Sequence, residues 1–192
     1  TVENDLTIES GILRFNSSNN TDPANDLQVS GGFLNQGGEI DYNRNTGRPN
    51  TVITFNNSSS ESLQIQTGSS TLRSLVFNAT GATYTLQDDL VMDNGDFSLT
   101  LEDASLALNG QLLQTAGGGA GGDTTPSLVQ NGGTITVNEG AVLAVGGNGA
   151  NPDYDKNGGT LTLQGTATNP ATLTAPAGET FSMEQSLGYF VA

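Results

Sequence analysis

Apolar residues recur along this chain in runs of three to five that alternate with polar ones, and Gly, Asn or Asp ends each run. Leu6-Thr7-Ile8, Leu27-Gln28-Val29, Ile53-Thr54-Phe55, Leu63-Gln64-Ile65, Tyr84-Thr85-Leu86 and Phe97-Ser98-Leu99-Thr100-Leu101 show the pattern, and Ile135-Thr136-Val137 and Leu161-Thr162-Leu163 continue it. A period of two places alternate side chains on opposite faces of a strand, and no stretch carries the 3.6-residue period of a helix. The chain is therefore expected to be all-β. Its strands are too short to be stable singly, so each needs close neighbours on both sides.

Composition supports this reading and narrows the chemistry. Among 192 residues there are 26 Gly, 24 Thr and 20 Asn, the residues of turns and of outward strand faces. No apolar run approaches the roughly 20 residues of a membrane helix, so membrane insertion is not expected. Lys and Arg number 5 against 20 Asp and Glu, a net charge of −15, and phosphate repels such a surface. Nucleic acid is accordingly not expected as a partner. The chain has no Cys, which excludes disulfides, thiolate metal sites and thiol nucleophiles. It also has no His, which removes the commonest general base and the Ser-His-Asp triad. The sequence opens in mid-pattern at Thr1-Val2-Glu3-Asn4-Asp5-Leu6, as expected of a mature secreted protein or an excised piece of a larger one.

Internal similarity points to a coil. Asn4-Asp5-Leu6-Thr7-Ile8 recurs as Asn25-Asp26-Leu27-Gln28-Val29 and as Asp88-Asp89-Leu90-Val91-Met92, with Asp–Leu steps at 5, 26 and 89. The offsets, 21 and 63, suggest a repeat of 21 residues. A second echo sets Asn131-Gly132-Gly133-Thr134-Ile135-Thr136-Val137 against Asn157-Gly158-Gly159-Thr160-Leu161-Thr162-Leu163, 26 residues on. Periods of this size indicate a solenoid, here a parallel β-helix of about nine coils. A β-sandwich is the alternative, and Asn94-Gly95 and Asn109-Gly110 would be its hairpin turns. Residues 1–180 are expected to form the solenoid. Residues 181–192, with the apolar Leu187-Gly188-Tyr189-Phe190-Val191, are expected to cap its end or to start a following module.

The cadence of Leu72-Arg73-Ser74-Leu75-Val76-Phe77-Asn78, Gly81-Ala82-Thr83-Tyr84-Thr85-Leu86, Asp89-Leu90 and Leu106-Ala107-Leu108-Asn109-Gly110 resembles the right-handed β-helix stretches of very large bacterial surface adhesins, particularly those of the Bacteroidota, which implies a right-handed coil here. The likeness covers roughly residues 1–175 and lies in style and repeat, with no catalytic motif. It implies an extracellular or cell-surface location and an adhesive or structural role. The expected partners are neighbouring modules of the same chain or copies of itself stacked end to end, with surface glycans as a further class.

Several motifs carry candidate chemistry. Asp153-Tyr154-Asp155-Lys156-Asn157-Gly158 matches the first half of a calcium loop, with Asp153, Asp155 and Asn157 as oxygen ligands. Gln164 stands where a bidentate Glu is wanted, so no cofactor is expected to be required and calcium is the candidate ion, weakly held. Asp88, Asp89, Asp93 and Asp96, with Glu102 and Asp103 beyond, could supply the paired carboxylates of a glycosidase. Asp89, however, sits where Asp5 and Asp26 sit in the repeat, so turn formation accounts for it and no enzyme is expected. Arg44 and Arg48, in Asn43-Arg44-Asn45-Thr46-Gly47-Arg48-Pro49-Asn50, could grip a carboxylate or acidic sugar. Gly117, Gly119 and Gly122 fit G-x-G-x-x-G but lack the following helix that dinucleotide binding needs. Thr-x-Thr occurs at 83/85, 134/136, 160/162 and 172/174. A flat threonine ladder can order water and bind ice, but spacings of 51, 26 and 12 look too irregular for one ladder. The expectation is ordinary outward strand positions.

Overall fold

In the structure, a computed structural model, the described residues are 1–15, 26–42, 51–92, 97–115, 127–146, 153–176, 183–185 and 189–191. Every strand pairing among them is parallel. Numbered in chain order, the strands stack into sheets that run along a solenoid. The longest sheet runs β1 (Leu6–Ile8), β4 (Phe33–Asn35), β7 (Ser62–Gln66), β9 (Thr83–Leu86), β12 (Ser105–Ala107), β15 (Thr134–Val137), β18 (Thr160–Leu163) and β21 (Tyr189–Val191). A seven-stranded sheet holds β3 (Leu27–Val29), β6 (Val52–Phe55), β8 (Ser74–Phe77), β11 (Leu99–Leu101), β14 (Leu128–Gln130), β17 (Tyr154–Lys156) and β20 (Met183–Gln185). The third side is split. It has β10 (Leu90–Val91), β13 (Leu112–Gln114), β16 (Val142–Ala144) and β19 (Thr172–Thr174) in one sheet, and β2 (Ile12–Arg14) with β5 (Glu39–Asp41) in another.

Each turn passes from the seven-stranded sheet to the eight-stranded one and then to the third side. Five turns supply a strand to all three sides, and the longest sheet has eight strands, so the nine coils expected are too many. The reason is coil length. Leu63 pairs with Tyr84, 21 residues on, but Phe33 pairs with Ile65, 32 residues on. Connections between sides lengthen the coil without disturbing the pairing, because a loop's closure cost rises only slowly with its length. The last two strands, β20 and β21, pair with β17 and β18 and add a further rung.

The sandwich alternative fails at its own turn signal. Asn109 and Gly110 take φ values of 53° and 80°, the left-handed pair of a primed hairpin turn. The strands on either side, β12 and β13, nevertheless lie in different sheets, each with parallel partners. The turn makes a corner of the coil.

The alternating pattern becomes columns. On the seven-stranded sheet Leu27, Ile53, Leu75, Leu99, Leu128 and Tyr154 stack in one inward column, and Val29, Phe55, Phe77, Leu101, Gln130 and Lys156 in the next. Phe55 and Phe77 stack at 4.8 Å with their planes 13° apart, and the Tyr84 ring meets Phe77 edge-on at 5.1 Å. These side chains are almost wholly buried and belong to one continuous core. Full burial of such a side chain contributes about 1.5–3 kcal/mol. A strand of three residues is therefore held by the column it joins.

From Gln130 onward the second column turns polar, and the polar heads are satisfied by the coil corner. Gln130 Nε2 donates to the Gly133 carbonyl at 3.4 Å and accepts the Tyr154 hydroxyl at Oε1. Lys156 Nζ donates to the carbonyls of Gly158 and Gly159 at 2.9 and 2.8 Å. Both corners need a left-handed glycine: Gly133 has φ 63° and Gly159 φ 66°. Burial holds the Lys156 pKa below its ordinary value.

Candidate functional site

The Asp–Leu echo has a structural explanation, and it is not a coil repeat. Leu6 lies in the eight-stranded sheet, Leu27 in the seven-stranded sheet and Leu90 on the third side. What the three places share is a hydrogen bond. The Asp one residue before each strand accepts the backbone N–H of the residue that precedes, in the next coil, the register partner of that strand's first residue. Asp5 Oδ1 takes the Gly32 N–H at 2.6 Å, Asp26 Oδ1 the Val52 N–H at 3.3 Å and Asp89 Oδ1 the Leu112 N–H at 2.9 Å. The carboxylate thus extends a parallel ladder by one rung before its strand begins. Such a bond contributes about 0.5–1.5 kcal/mol, more where the acceptor is charged.

The rest of the acidic cluster is occupied in the same way. Asp88 accepts the N–H groups of Thr67 and Gly68 through its two oxygens, each at 2.7 Å. Both Glu102 oxygens face the Asn131 amide at 3.1 Å, and Asp103 Oδ2 accepts the Thr80 hydroxyl at 2.8 Å. Asp93 and Asp96 lie outside the described residues, as do Arg44 and Arg48 and the run Gly117, Gly119 and Gly122.

The described cations are engaged. Arg14 pairs with Asp41 at 2.8 Å across the register of β2 and β5. Arg73 is buried, with its guanidinium 4.5 Å from the Tyr42 ring centroid and 5.0 Å from that of Phe97. The electron-rich faces of those rings attract the cation in place of water.

The candidate calcium residues lie at and around β17. Tyr154 and Lys156 point into the core, Asp155 points outward and Asp153 is almost fully buried. Asn157 Nδ2 donates to Asp155 Oδ2 at 3.0 Å and to Asn131 Oδ1 at 3.2 Å. In this arrangement the Asn157 amide offers N–H rather than oxygen to Asp155, so hydrogen bonds join the two side chains. Among the described residues, no group of three or more His, Cys, Asp or Glu gathers to hold a metal.

Two features were missed in the sequence. The first is a hollow of about 240 Å³ lined by Glu3, Asp5, Asn57 and Glu61 among others. Its residues come from three successive coils, so no local motif marks it. Asp5 and Glu61 each accept a hydrogen bond there, from the Gly32 N–H and the Asn57 amide. The second is a threonine ladder. Thr83 pairs with Ser105, Ser105 with Thr134 and Thr134 with Thr160, while Thr85, Ala107, Thr136 and Thr162 align beside them. The spacing of 51 that looked irregular is two coils, of 22 and 29 residues, with Ser105-Leu106-Ala107 as the rung between. Thr172 and Thr174 belong to β19 and a different sheet. Comparison with protein families, with curated proteins and with solved structures finds no match to this chain.

Proposed function

We propose that this chain is a non-catalytic structural module of an extracellular stalk or fibre, of the kind found in bacterial surface adhesins, with neighbouring modules or further copies of itself stacked on its ends. The observation that supports the reading is the unbroken parallel ladder from β1 to β21. Both end strands have a neighbour on one side only within the described residues, and an open parallel edge is a template for another strand. The carboxylates of Asp5, Asp26, Asp88 and Asp89 hold coil to coil, which favours a scaffold over a hydrolytic pair. The role requires no cofactor. Arg44 and Arg48 would supply contacts to the acidic groups of surface glycans.

Electron microscopy of the material from its source tests this reading, together with antibody labelling of intact cells. Labelled fibres or tethers on the cell exterior are expected. Exclusively intracellular label, or release of reducing sugar from acidic polysaccharides by the purified chain, would overturn it.

A further inference from the structure

We propose that the solenoid has a built-in parting line between its second and third coils, across which the two coils bearing β1 to β5 open and re-form as one unit while the coils from β6 onward stay folded. This inference concerns the fold alone and does not depend on the structural role proposed above.

The third side carries the argument. Counting along the chain, the first coil bears β1 and β2, the second β3 to β5, the third β6 and β7, and the fourth β8 to β10. Among the described residues β5 has one ladder partner, β2, and the next strand on that side, β10, belongs to a separate sheet. The third coil has no strand there because its residues turn instead of extending. Gly68 and Ser69 follow β7 with φ values of 61° and 65°, and the Ser70 N–H closes a turn on the Thr67 carbonyl at 3.1 Å. Leu72, beyond that turn, bridges to Met92, and its N–H donates to the Val91 carbonyl at 3.1 Å. On this side the ladder therefore ties the third coil to the fourth and skips the second.

Side chains cross the gap in place of the ladder. Asn35 Nδ2 donates to the Thr67 carbonyl at 2.9 Å and to the Ser70 hydroxyl at 3.1 Å. The Arg73 backbone N–H donates to the Tyr42 hydroxyl oxygen at 3.2 Å, and the Arg73 guanidinium lies over the Tyr42 ring. The sheet on the second side continues but narrows here. β4 meets β7 in register at Phe33–Ile65 and Leu34–Gln66, whereas β7 and β9 pair at four positions from Ser62–Thr83 to Ile65–Leu86.

The first two coils are joined more closely to each other than to the third. β1 pairs with β4 from Leu6–Phe33 to Ile8–Asn35, and β2 with β5 from Ile12–Glu39 to Arg14–Asp41. Phe15 stacks on Tyr42 with ring centroids 5.2 Å apart, and Arg14 is ion-paired with Asp41. The stability of a stacked array is approximately a sum of coil and interface contributions, so it parts at its weakest interface and what lies beyond leaves together. Two coils are too few to bury a core alone, so they unfold as they part. Their departure opens the edges of β6 and β7, each of which is then a template for another strand.

The test is native-state amide hydrogen exchange read by NMR. The Phe15 and Gln36 N–H groups bond between the first two coils, to the carbonyls of Asp41 and Ile8, and the Asn56 N–H crosses the parting line to the Val29 carbonyl. These three amides are expected to share one opening, with lower protection than Asn78, Gln87 and Ser105, whose N–H groups bond among the third and later coils. Ile135→Val, in the buried core on β15, should lower the protection of Ser105 by about twofold to tenfold and leave Phe15, Gln36 and Asn56 unchanged. Arg73→Leu, which removes the guanidinium from Tyr42, should lower the protection of those three by about fivefold or more. Circular dichroism and the thermal midpoint confirm folding of each variant. Ser70→Ala, which removes one acceptor of the Asn35 amide, serves if Arg73→Leu unfolds, and it should lower the same three by about twofold or more. One protection level for all six amides would overturn the proposal, because the solenoid would then open only as a whole. So would Asn56 standing well above Phe15 and Gln36, as stepwise fraying from the end gives, or an equal response of all six amides to Ile135→Val.

Discussion

Phe77 is the place to test whether the stacked columns hold the coils together. It is fully buried on β8, stacked on Phe55 at 4.8 Å, met by Tyr84 at 5.1 Å and followed in register by Leu101. Truncating a core Phe to Ala costs about 3–5 kcal/mol, the sum of lost transfer energy and an unfilled cavity. Two ring contacts, each contributing about 0.5–1.5 kcal/mol beyond area, place Phe77→Ala at the upper end of that range. Phe77→Leu copies the residue found one coil later at the same column position. It keeps most of the volume and should cost no more than about 1.5 kcal/mol. Urea unfolding followed by circular dichroism reads both, with the slope on denaturant expected to stay constant. A loss below about 1.5 kcal/mol for Phe77→Ala, or equal losses for the two variants, would refute the column argument. A split transition for Phe77→Ala would show instead that the coils below and above this rung unfold separately, as a nearly one-dimensional array permits.

Three other outcomes follow from the same geometry. Gly133→Ala should destabilise by more than the roughly 1 kcal/mol of an ordinary glycine replacement, because φ is 63° and a Cβ would overlap the Ala104 carbonyl oxygen; an unchanged thermal midpoint would contradict this. Burial pushes the Tyr84 hydroxyl up to about 12, with the Asn57 backbone opposing, and burial also raises Tyr154. Their contribution is present below the ordinary tyrosine value of 10.0 and is lost as pH rises through the folded values. Lys156, lowered by burial, has the opposite slope, and stability gains as pH climbs toward its ordinary value of 10.5. The thermal midpoint should therefore fall steeply only above about pH 10, and Tyr84→Phe should reduce that fall; an identical alkaline profile for Tyr84→Phe would count against it. Finally, the Asp155–Asn157 hydrogen bond predicts closely similar thermal midpoints in millimolar calcium and in chelator. A rise of more than about 4 °C with calcium would show that residues 153–157 rearrange around the ion.

Local pattern was legible in the sequence because it is a local property. Leu-Thr-Leu or Ile-Thr-Val can bury one face only as a strand, and the Asn-Gly-Gly-Thr echo at 131–137 and 157–163 corresponds to true register, Ile135 on Leu161. The Asp–Leu echo misled because the same device, a carboxylate extending the ladder, serves all three sides of the coil. The Asp153–Gly158 segment was equally ambiguous. As a motif it offers alternate oxygens, but on β17 the strand period sends Lys156 inward to the carbonyls of Gly158 and Gly159.

By itself, then, the sequence determined the all-β class, the inward and outward faces and the parallel stacking of short strands. These follow from side-chain periodicity and from turn residues acting over a few positions. Only the tertiary structure decided the number of coils, the grouping of Glu3, Asp5 and Glu61 around one hollow, and the alignment of Thr83 through Thr160. Those depend on which rung lies above which. Pairing between coils sets that register, while the loops between strands vary in length at little energetic cost and erase the period from the sequence.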